Sequence, residues 1–203
     1  MSAEGPRDLD LLFELGSLRR VDRTWRQFGG ADCANSTEHS FRVAWLAWLI
    51  AVREGADVGR VIQLALLHDT AETRTGDVNY LSRMYCRRDD AAAMRDQFAD
   101  TTLSGDAAEL WAEYEARETL ESRIVKDADT LDCDLELQEL RHEGAGLYAA
   151  LRDTRDVPAS KLFTRSARQL FDTIYDADPH RWHRTGRNRA NEGDWKPSPT
   201  RQL

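Results

Sequence analysis

Apolar residues along most of this chain recur every three or four positions, which is the spacing of an amphipathic α-helix. The first example covers Leu9–Arg20, where Leu11, Leu12, Leu15 and Leu18 would share one face. No segment alternates between apolar and polar residues over a useful strand length, and no internal repeat occurs. The pattern therefore predicts an all-α protein.

The most apolar helix is predicted to begin after Asn35, a residue type that commonly caps a helix N-terminus. Glu38 occupies the third helical position, where it can complete a capping box with Asn35; a role for Glu38 in a binding site is an equal alternative. The helix should extend over residues 36–53 and be apolar on nearly all sides. We therefore expect it to be central, with Trp45 and Trp48 in the core.

Helix-capping residues and interruptions of the apolar spacing predict the remaining helices. We expect helices over Val58–His68, Asp89–Asp100, Ser104–Thr119 and Thr119–His142. A last long helix is predicted over Asp156–Ile174, because Pro158 is tolerated in a first turn. The segment 21–34 is expected to be a loop. The chain length suits a single domain over residues 1–185, followed by a loosely ordered tail over 186–203.

The composition narrows the class of function. The 203 residues carry a formal net charge of −8, which argues against an extended nucleic-acid surface but not against a mononucleotide. Cys33, Cys86 and Cys133 show no paired spacing, which is typical of a reducing cytosol. No basic-then-apolar leader is visible, and the longest apolar run, Val43–Val52, is too short to span a bilayer. We expect a cytoplasmic protein without a membrane segment.

The clearest chemical signal lies at the end of an apolar helical run, where His68 and Asp69 stand side by side. An imidazole nitrogen and a carboxylate oxygen at such a place can bind one metal ion. Glu72 follows four residues after His68 and would return to the same face of a continued helix. His39 upstream and Asp129 downstream are candidates to complete the set of ligands.

This order of residues resembles the HD-domain superfamily of metal-dependent phosphohydrolases, and within it the 5′-deoxynucleotidase branch. The segments that carry the resemblance are Glu38-His39-Ser40, Leu67-His68-Asp69-Thr70-Ala71-Glu72, Thr75-Gly76-Asp77 and Lys126-Asp127-Ala128-Asp129-Thr130-Leu131. The resemblance extends over residues 9–175. It implies a compact HD-domain helical bundle around a central, single divalent metal ion, and it suggests a homodimer.

The resemblance also implies roles for single residues. The implied metal ligands are His39, His68, Asp69 and Asp129. Glu72 would handle protons and Asp77 would help to orient or protonate, whereas Arg23 and Trp25 stand where that branch contacts the nucleotide. Each of two residues also has a purely structural alternative. Glu72 could be a solvated acid at a helix end, and Trp25 could be an ordinary packing residue.

The chemistry of this residue set is consistent with phosphate hydrolysis. Two imidazoles and two carboxylates form a mixed nitrogen–oxygen set, which prefers Mn²⁺, Co²⁺, Ni²⁺, Fe²⁺ or Zn²⁺ over Mg²⁺. A metal ion bound there would lower the pKa of a water ligand and polarise phosphorus. Arg23 would neutralise charge on the phosphate as a planar donor fork.

The histidine spacing separates reaction types. HD-like oxygenases and two-metal phosphodiesterases resemble this pattern but place further histidines in the interval that corresponds to residues 70–128, which here contains none. We therefore expect a mononuclear phosphomonoesterase that removes the 5′-phosphate of a (deoxy)nucleoside monophosphate or a related nucleotide. A non-catalytic or regulatory module that binds a nucleotide or a protein partner is the alternative.

Overall fold

A computed structural model of the chain describes residues 5–29, 32–144, 146 and 151–184. These residues form helices, turns and loops, and their one β-type pairing is an isolated bridge between Asp22 and Asn35. The prediction of an all-α protein is confirmed. The predicted tail over 186–203 lies outside the described residues.

The α-helices of the described segments are numbered in chain order. They are α1 Asp8–Leu15, α2 Trp25–Gly29, α3 Ser36–Glu54, α4 Val58–Leu67, α5 Glu72–Thr75, α6 Asp90–Phe98, α7 Ser104–Ala116, α8 Leu120–His142, α9 Asp156–Ala159, α10 Arg165–Ile174 and α11 Arg181–Arg184. Short 3-10 helices cover Gly16–Arg20, Ser82–Met84 and Arg152–Thr154. Within the described residues, none of these helices is both long enough and apolar enough to cross a membrane.

Three helices form the centre of the bundle, because α3 packs against both α4 and α8, and α4 packs against α8. Their contact faces include fully buried aliphatic side chains, such as Ile50, Leu64 and Ile124. Helices α7 and α10 close further sides of this core. Side chains that project from the junction of α3, α4 and α8 therefore meet in the middle of the molecule.

The local signals that start the long helices act as predicted. The Asn35 side chain accepts hydrogen bonds from the backbone N–H groups of Thr37 and Glu38, and the Glu38 carboxylate accepts one from the N–H of Asn35. This is a complete capping box, so Glu38 is accounted for by helix capping. The side chains of Asp57 and Thr119 cap α4 and α8 more simply, each accepting one backbone N–H group, of Arg60 and of Ser122.

The prediction that Trp45 and Trp48 belong to the core is wrong. They are 56% and 43% exposed and stack on each other on the outer face of α3, beside the exposed Phe41. Both faces of this helix are apolar, so periodicity could not show which one faces inward. The inner face is the one with smaller side chains, such as Val43 and Ala47, which allow close helix packing.

The prediction of one long helix over Asp156–Ile174 is also wrong, because the chain leaves helical geometry between α9 and α10. The cause is the buried Asp127 carboxylate on α8, which accepts hydrogen bonds from the N–H groups of Phe163 and Thr164 and from the Thr164 hydroxyl. These contacts satisfy backbone donors that a continuous helix would have bonded internally. Thr164 then caps α10.

Smaller departures occur near the N-terminus and along α8. The first helix gives way to a 3-10 turn after Leu15, and the segment expected as a loop contains α2. Asp127, Asp132 and Asp134, the acids that flank Asp129 in α8, are all buried and bonded. Their burial depends on partners distant in the sequence, which the helical spacing cannot reveal.

Candidate metal centre

Four side chains with metal-binding atoms meet at the junction of α3, α4 and α8. His39 comes from the first turn of α3, His68 and Asp69 follow the end of α4, and Asp129 lies in α8. One donor atom from each lies within 4.8 Å of the others. The structure therefore brings together all four residues that the sequence suggested as metal ligands.

The individual distances show that the donor atoms face one another. The Nε2 atoms of His39 and His68 are 3.4 Å apart. Asp69 Oδ2 lies 3.3 Å from the first of these nitrogens and 3.1 Å from the second. Asp129 Oδ1 lies 3.3 Å from His39 Nε2. Such a convergence of nitrogen and oxygen donors could hold a single divalent ion.

The opposite nitrogen of each imidazole is fixed by an acceptor. His39 Nδ1 lies 2.6 Å from Asp132 Oδ2, and His68 Nδ1 lies 2.7 Å from the carbonyl oxygen of Ala65. In the neutral rings the proton therefore belongs on Nδ1, which leaves the Nε2 lone pair directed at the centre. Asp132 is itself held by the Arg42 guanidinium, whose Nη1 also contacts Glu139 at 2.7 Å.

Electrostatics at the centre favour binding of a cation. Burial alone would raise the pKa of Asp129, but the Lys126 ammonium and His39 hold that pKa well below its usual range. Burial likewise opposes ionisation of Asp69, yet His68 and His39 lower its pKa. Burial lowers the pKa of His39, but its hydrogen bonds to carboxylates have the larger effect. The pKa of His39 is therefore well above its usual value. A divalent ion can replace the imidazole protons in this arrangement.

Glu72 lies beside the centre but not on a continuation of α4, as its spacing from His68 had suggested. The chain turns after Leu67, and Glu72 opens the separate short helix α5. Its side chain is buried, with Oε2 accepting a hydrogen bond from Ser36 Oγ at 2.9 Å and Oε1 lying 3.3 Å from Arg88 Nη1. Burial, followed by Asp69 and Asp77, raises the pKa of Glu72 to about 7.

Arg23 reaches the centre from the segment before α2. It is only 8% exposed, and its Nη1 lies 3.9 Å from Asp69 Oδ2 and 3.7 Å from Asp77 Oδ2. Its Nη2 donates to the Cys133 thiol at 3.3 Å, while its Nε has no hydrogen-bond partner among the described residues. Asp77 also accepts a hydrogen bond from the N–H of Thr24 at 3.1 Å. It therefore contacts both the Arg23 guanidinium and the backbone of the same segment.

These residues line one side of an open cleft of about 780 Å³. Helix α7 forms another wall with Trp111 and Tyr114, and Phe163 stands near the rim. Lys126 also lines the cleft, where its ammonium contacts Asp129 Oδ2 at 2.7 Å. The side chain of Trp25, predicted to contact the nucleotide, lies outside the described residues.

Two residues that organise this centre, Ser36 and Arg88, are not predicted from the sequence. Asp132 orients His39, and Ser36 and Arg88 hold the Glu72 carboxylate. Asp132 follows Asp129 by three residues, so the sequence already places it next to a candidate ligand on the same helix face. The Arg88 contact had no signal, because it depends on how the loop before α6 folds back.

Comparison with known proteins agrees with this geometry. The sequence model described as the HD domain matches residues 15–169. The chain belongs to the HD-domain family. The 5′-deoxynucleotidase HDDC2 of Xenopus laevis is 31% identical over 182 residues, which cover 86% of this chain and 89% of that protein. The HD-domain resemblance predicted from the motifs is thus confirmed.

Solved structures share the fold of this chain. A conserved hypothetical protein from Pyrococcus furiosus superposes with a TM-score of 0.67 at 24% identity, covering 84% of this chain and all of that one. The HD phosphohydrolase DatZ of cyanophage S-2L, solved bound to dA and one catalytic Zn²⁺ ion, superposes with a TM-score of 0.51 at 20% identity. That match covers 81% of this chain and 93% of DatZ. The compact helical bundle is therefore the architecture of the family.

Removing the acceptor of His39 Nδ1 should weaken metal binding without removing any donor atom. Asp132→Ala should lower the affinity for Mn²⁺ by about 10- to 100-fold, because the ring loses its fixed tautomer and orientation. Competition with a chromophoric chelator measures this affinity, with Glu139→Ala as control, because Glu139 contacts Arg42 but not His39. An unchanged affinity in Asp132→Ala would contradict the orienting role.

Proposed function

We propose that this HD-domain protein is a metal-dependent phosphohydrolase that removes the 5′-phosphate from (deoxy)nucleoside monophosphates or a related nucleotide. The observation that carries the proposal is the convergence of four oriented metal-binding atoms beside a buried arginine in an open cleft. The curated relatives bear the name 5′-deoxynucleotidase, and a structural neighbour is a phosphohydrolase bound to a nucleoside.

In this proposal one divalent ion is bound by His39, His68, Asp69 and Asp129. The mixed donor set favours Mn²⁺, Co²⁺, Ni²⁺, Fe²⁺ or Zn²⁺ over Mg²⁺, and the zinc ion in DatZ is in line with that preference. When bound, such an ion supplies a water of lowered pKa and polarises the phosphoryl group. The other cleft residues then bind the phosphate and manage protons.

Glu72 is proposed to handle the proton of the attacking water. Its raised pKa places the carboxyl group where it can both accept and release a proton near neutral pH. Contacts with Ser36 and Arg88 fix both of its oxygens, so the group is already oriented before substrate arrives. Asp77 is proposed to support the reaction by holding the Arg23 segment, since it contacts Arg23 and accepts the N–H of Thr24.

Arg23 is proposed to bind the phosphate. Its guanidinium lines the cleft, and its Nη1 atom lies 3.9 Å from Asp69 Oδ2 and 3.7 Å from Asp77 Oδ2, too far for a hydrogen bond, so this nitrogen keeps donor capacity for a phosphate. An arginine fork matches the geometry of a terminal phosphate. Trp25 follows two residues later and is proposed to contact the nucleotide.

A panel of nucleoside mono-, di- and triphosphates, assayed with Mn²⁺ and with Co²⁺, tests this function. We expect release of orthophosphate from monophosphates. Binding of nucleotide without any release would instead favour the alternative of a regulatory module. The panel also defines the preference for base and sugar.

The same panel gives an internal check through Glu72→Gln. This variant should retain its metal and its fold, while turnover falls on the order of 10²- to 10⁴-fold, because proton transfer is lost. Glu109→Gln, an exposed substitution on α7, is the control and should leave turnover unchanged. Near-normal turnover in Glu72→Gln would return this residue to a helix-end acid.

Substituting Arg23 tests the phosphate contact. Arg23→Ala should lower kcat/KM for a nucleoside monophosphate on the order of 10- to 100-fold with unchanged metal content, and Lys should restore it only in part. Arg26→Ala, an exposed neighbour paired with Asp22, is the control. For bis-(p-nitrophenyl) phosphate, a diester with a single negative charge, Arg23→Ala should lower kcat/KM by a smaller factor. An equal loss for both substrates would contradict a contact specific to the terminal phosphate.

We further propose that the protein is a cytoplasmic homodimer. Support for a dimer comes from the resemblance and from the exposed aromatic face of α3 formed by Phe41, Trp45 and Trp48, since patches of this kind often mark interfaces. Light scattering should give twice the chain mass for the wild type and the chain mass for a Trp45→Lys, Trp48→Lys variant. Tyr85→Lys, at another exposed aromatic residue, should remain dimeric. A monomeric wild type would refute the dimer.

A further inference from the structure

Tyr114 has a buried hydroxyl group whose hydrogen-bonding capacity is unused within the described part of the chain. The residue lies in the last turn of α7 and is only 4% exposed. Among the described residues its hydroxyl makes no hydrogen bond, although buried tyrosines usually find a partner. The side chain lines the cleft, and the hydroxyl is not among the buried polar atoms that are sealed off without a partner. It therefore faces the space where a ligand would bind.

The ring of Tyr114 is held rigidly. Its neighbours are His68, whose ring lies edge-on at 5.9 Å between centroids, and Trp111 at 6.4 Å. The guanidinium of Arg117 covers the ring face at 3.5 Å from the centroid. A ring fixed on three sides directs its hydroxyl to one place, as expected for a group that contacts a ligand.

The hydroxyl belongs to the metal-centre end of the cleft. Burial and then the charges of Asp129 and Asp69 raise the pKa of Tyr114 well above its usual value, so the phenol remains a neutral donor. Neither carboxylate accepts a hydrogen bond from it. An anion bound at the centre would be the acceptor that the described residues do not provide.

The chain path places Tyr114 and Arg23 on opposite sides of Asp129. Arg23 contacts Cys133, one turn after Asp129 in α8. Tyr114 precedes the short connection from α7 to α8 and so lies towards the start of α8, on the side of Lys126. Cys133 and Lys126 are separated by about 10 Å along the helix axis.

We propose that the Tyr114 hydroxyl donates a hydrogen bond to a phosphoryl oxygen of the substrate, on the side of the phosphate opposite Arg23. This inference rests on the proposed function, because it takes a phosphate at the metal centre as the ligand. Tyr114 would thus be a substrate-binding residue of the α7 wall. A purely structural tyrosine looks different, as Tyr175 shows by donating to the buried Asp134 at 2.6 Å.

Tyr114→Phe removes one oxygen atom and keeps the ring and its contacts. In the Mn²⁺-loaded protein we expect an unchanged Tm and metal content. We also expect kcat/KM to fall on the order of 10- to 100-fold for both dAMP and p-nitrophenyl phosphate, which share only the phosphoryl group. Calorimetric titration with orthophosphate should show a similar loss of affinity, independently of turnover. Tyr175→Phe is the matched control and should change stability rather than phosphate affinity.

Each departure from these results overturns the assignment. Equal orthophosphate affinity in Tyr114→Phe and wild type would show that the hydroxyl does not contact phosphate. A loss confined to dAMP would place its contact on the sugar or base, and a loss of metal would mean that the hydroxyl only supports His68. If wild-type protein hydrolyses no phosphomonoester, the proposed function fails, while the orthophosphate titration still decides the role of Tyr114.

Discussion

The concentration of buried charge where α3, α4 and α8 meet is the constraint on which this structure depends. The pKa values of Asp69 and Asp129 are both held low beside the cleft, although two neighbouring carboxylates repel strongly unless cations lie between them. His39 and His68 meet that need, and a divalent ion would meet it better. Each of the three helices must therefore hold its position along the bundle closely, since every one of them contributes to the same charge cluster.

A chain of side chains with alternating charge extends from the centre towards the surface. His39 is followed by Asp132, then by Arg42, and then by Glu139 near solvent. Each member has a partner of opposite charge, so the burial of Asp132 does not leave an isolated carboxylate. The arrangement fixes the imidazole more firmly than packing alone, and it links the orientation of a central ring to residues at the protein surface.

The fold and the four candidate metal ligands could be predicted because much of their signal is local. A capping box at Asn35 and a His-Asp pair after an apolar helix are both visible within a few residues. The errors arose where distant contacts decide: Asp127 interrupts a helix near residue 163, and Arg88 folds back to Glu72. The exposure of Trp45 was missed because an apolar residue does not reveal which neighbour, if any, covers it.

Helix α8 carries a further consequence, which concerns insertions and deletions. Its acidic residues point in several directions: Asp127 towards the start of α10, Asp129 towards the centre, Asp132 towards α3 and Asp134 towards Arg155. Losing or gaining one residue would rotate everything beyond it by about 100° and separate all later acids from their partners together. The length of α8 between Asp127 and Asp134 is therefore as strictly determined as the identity of any of its side chains.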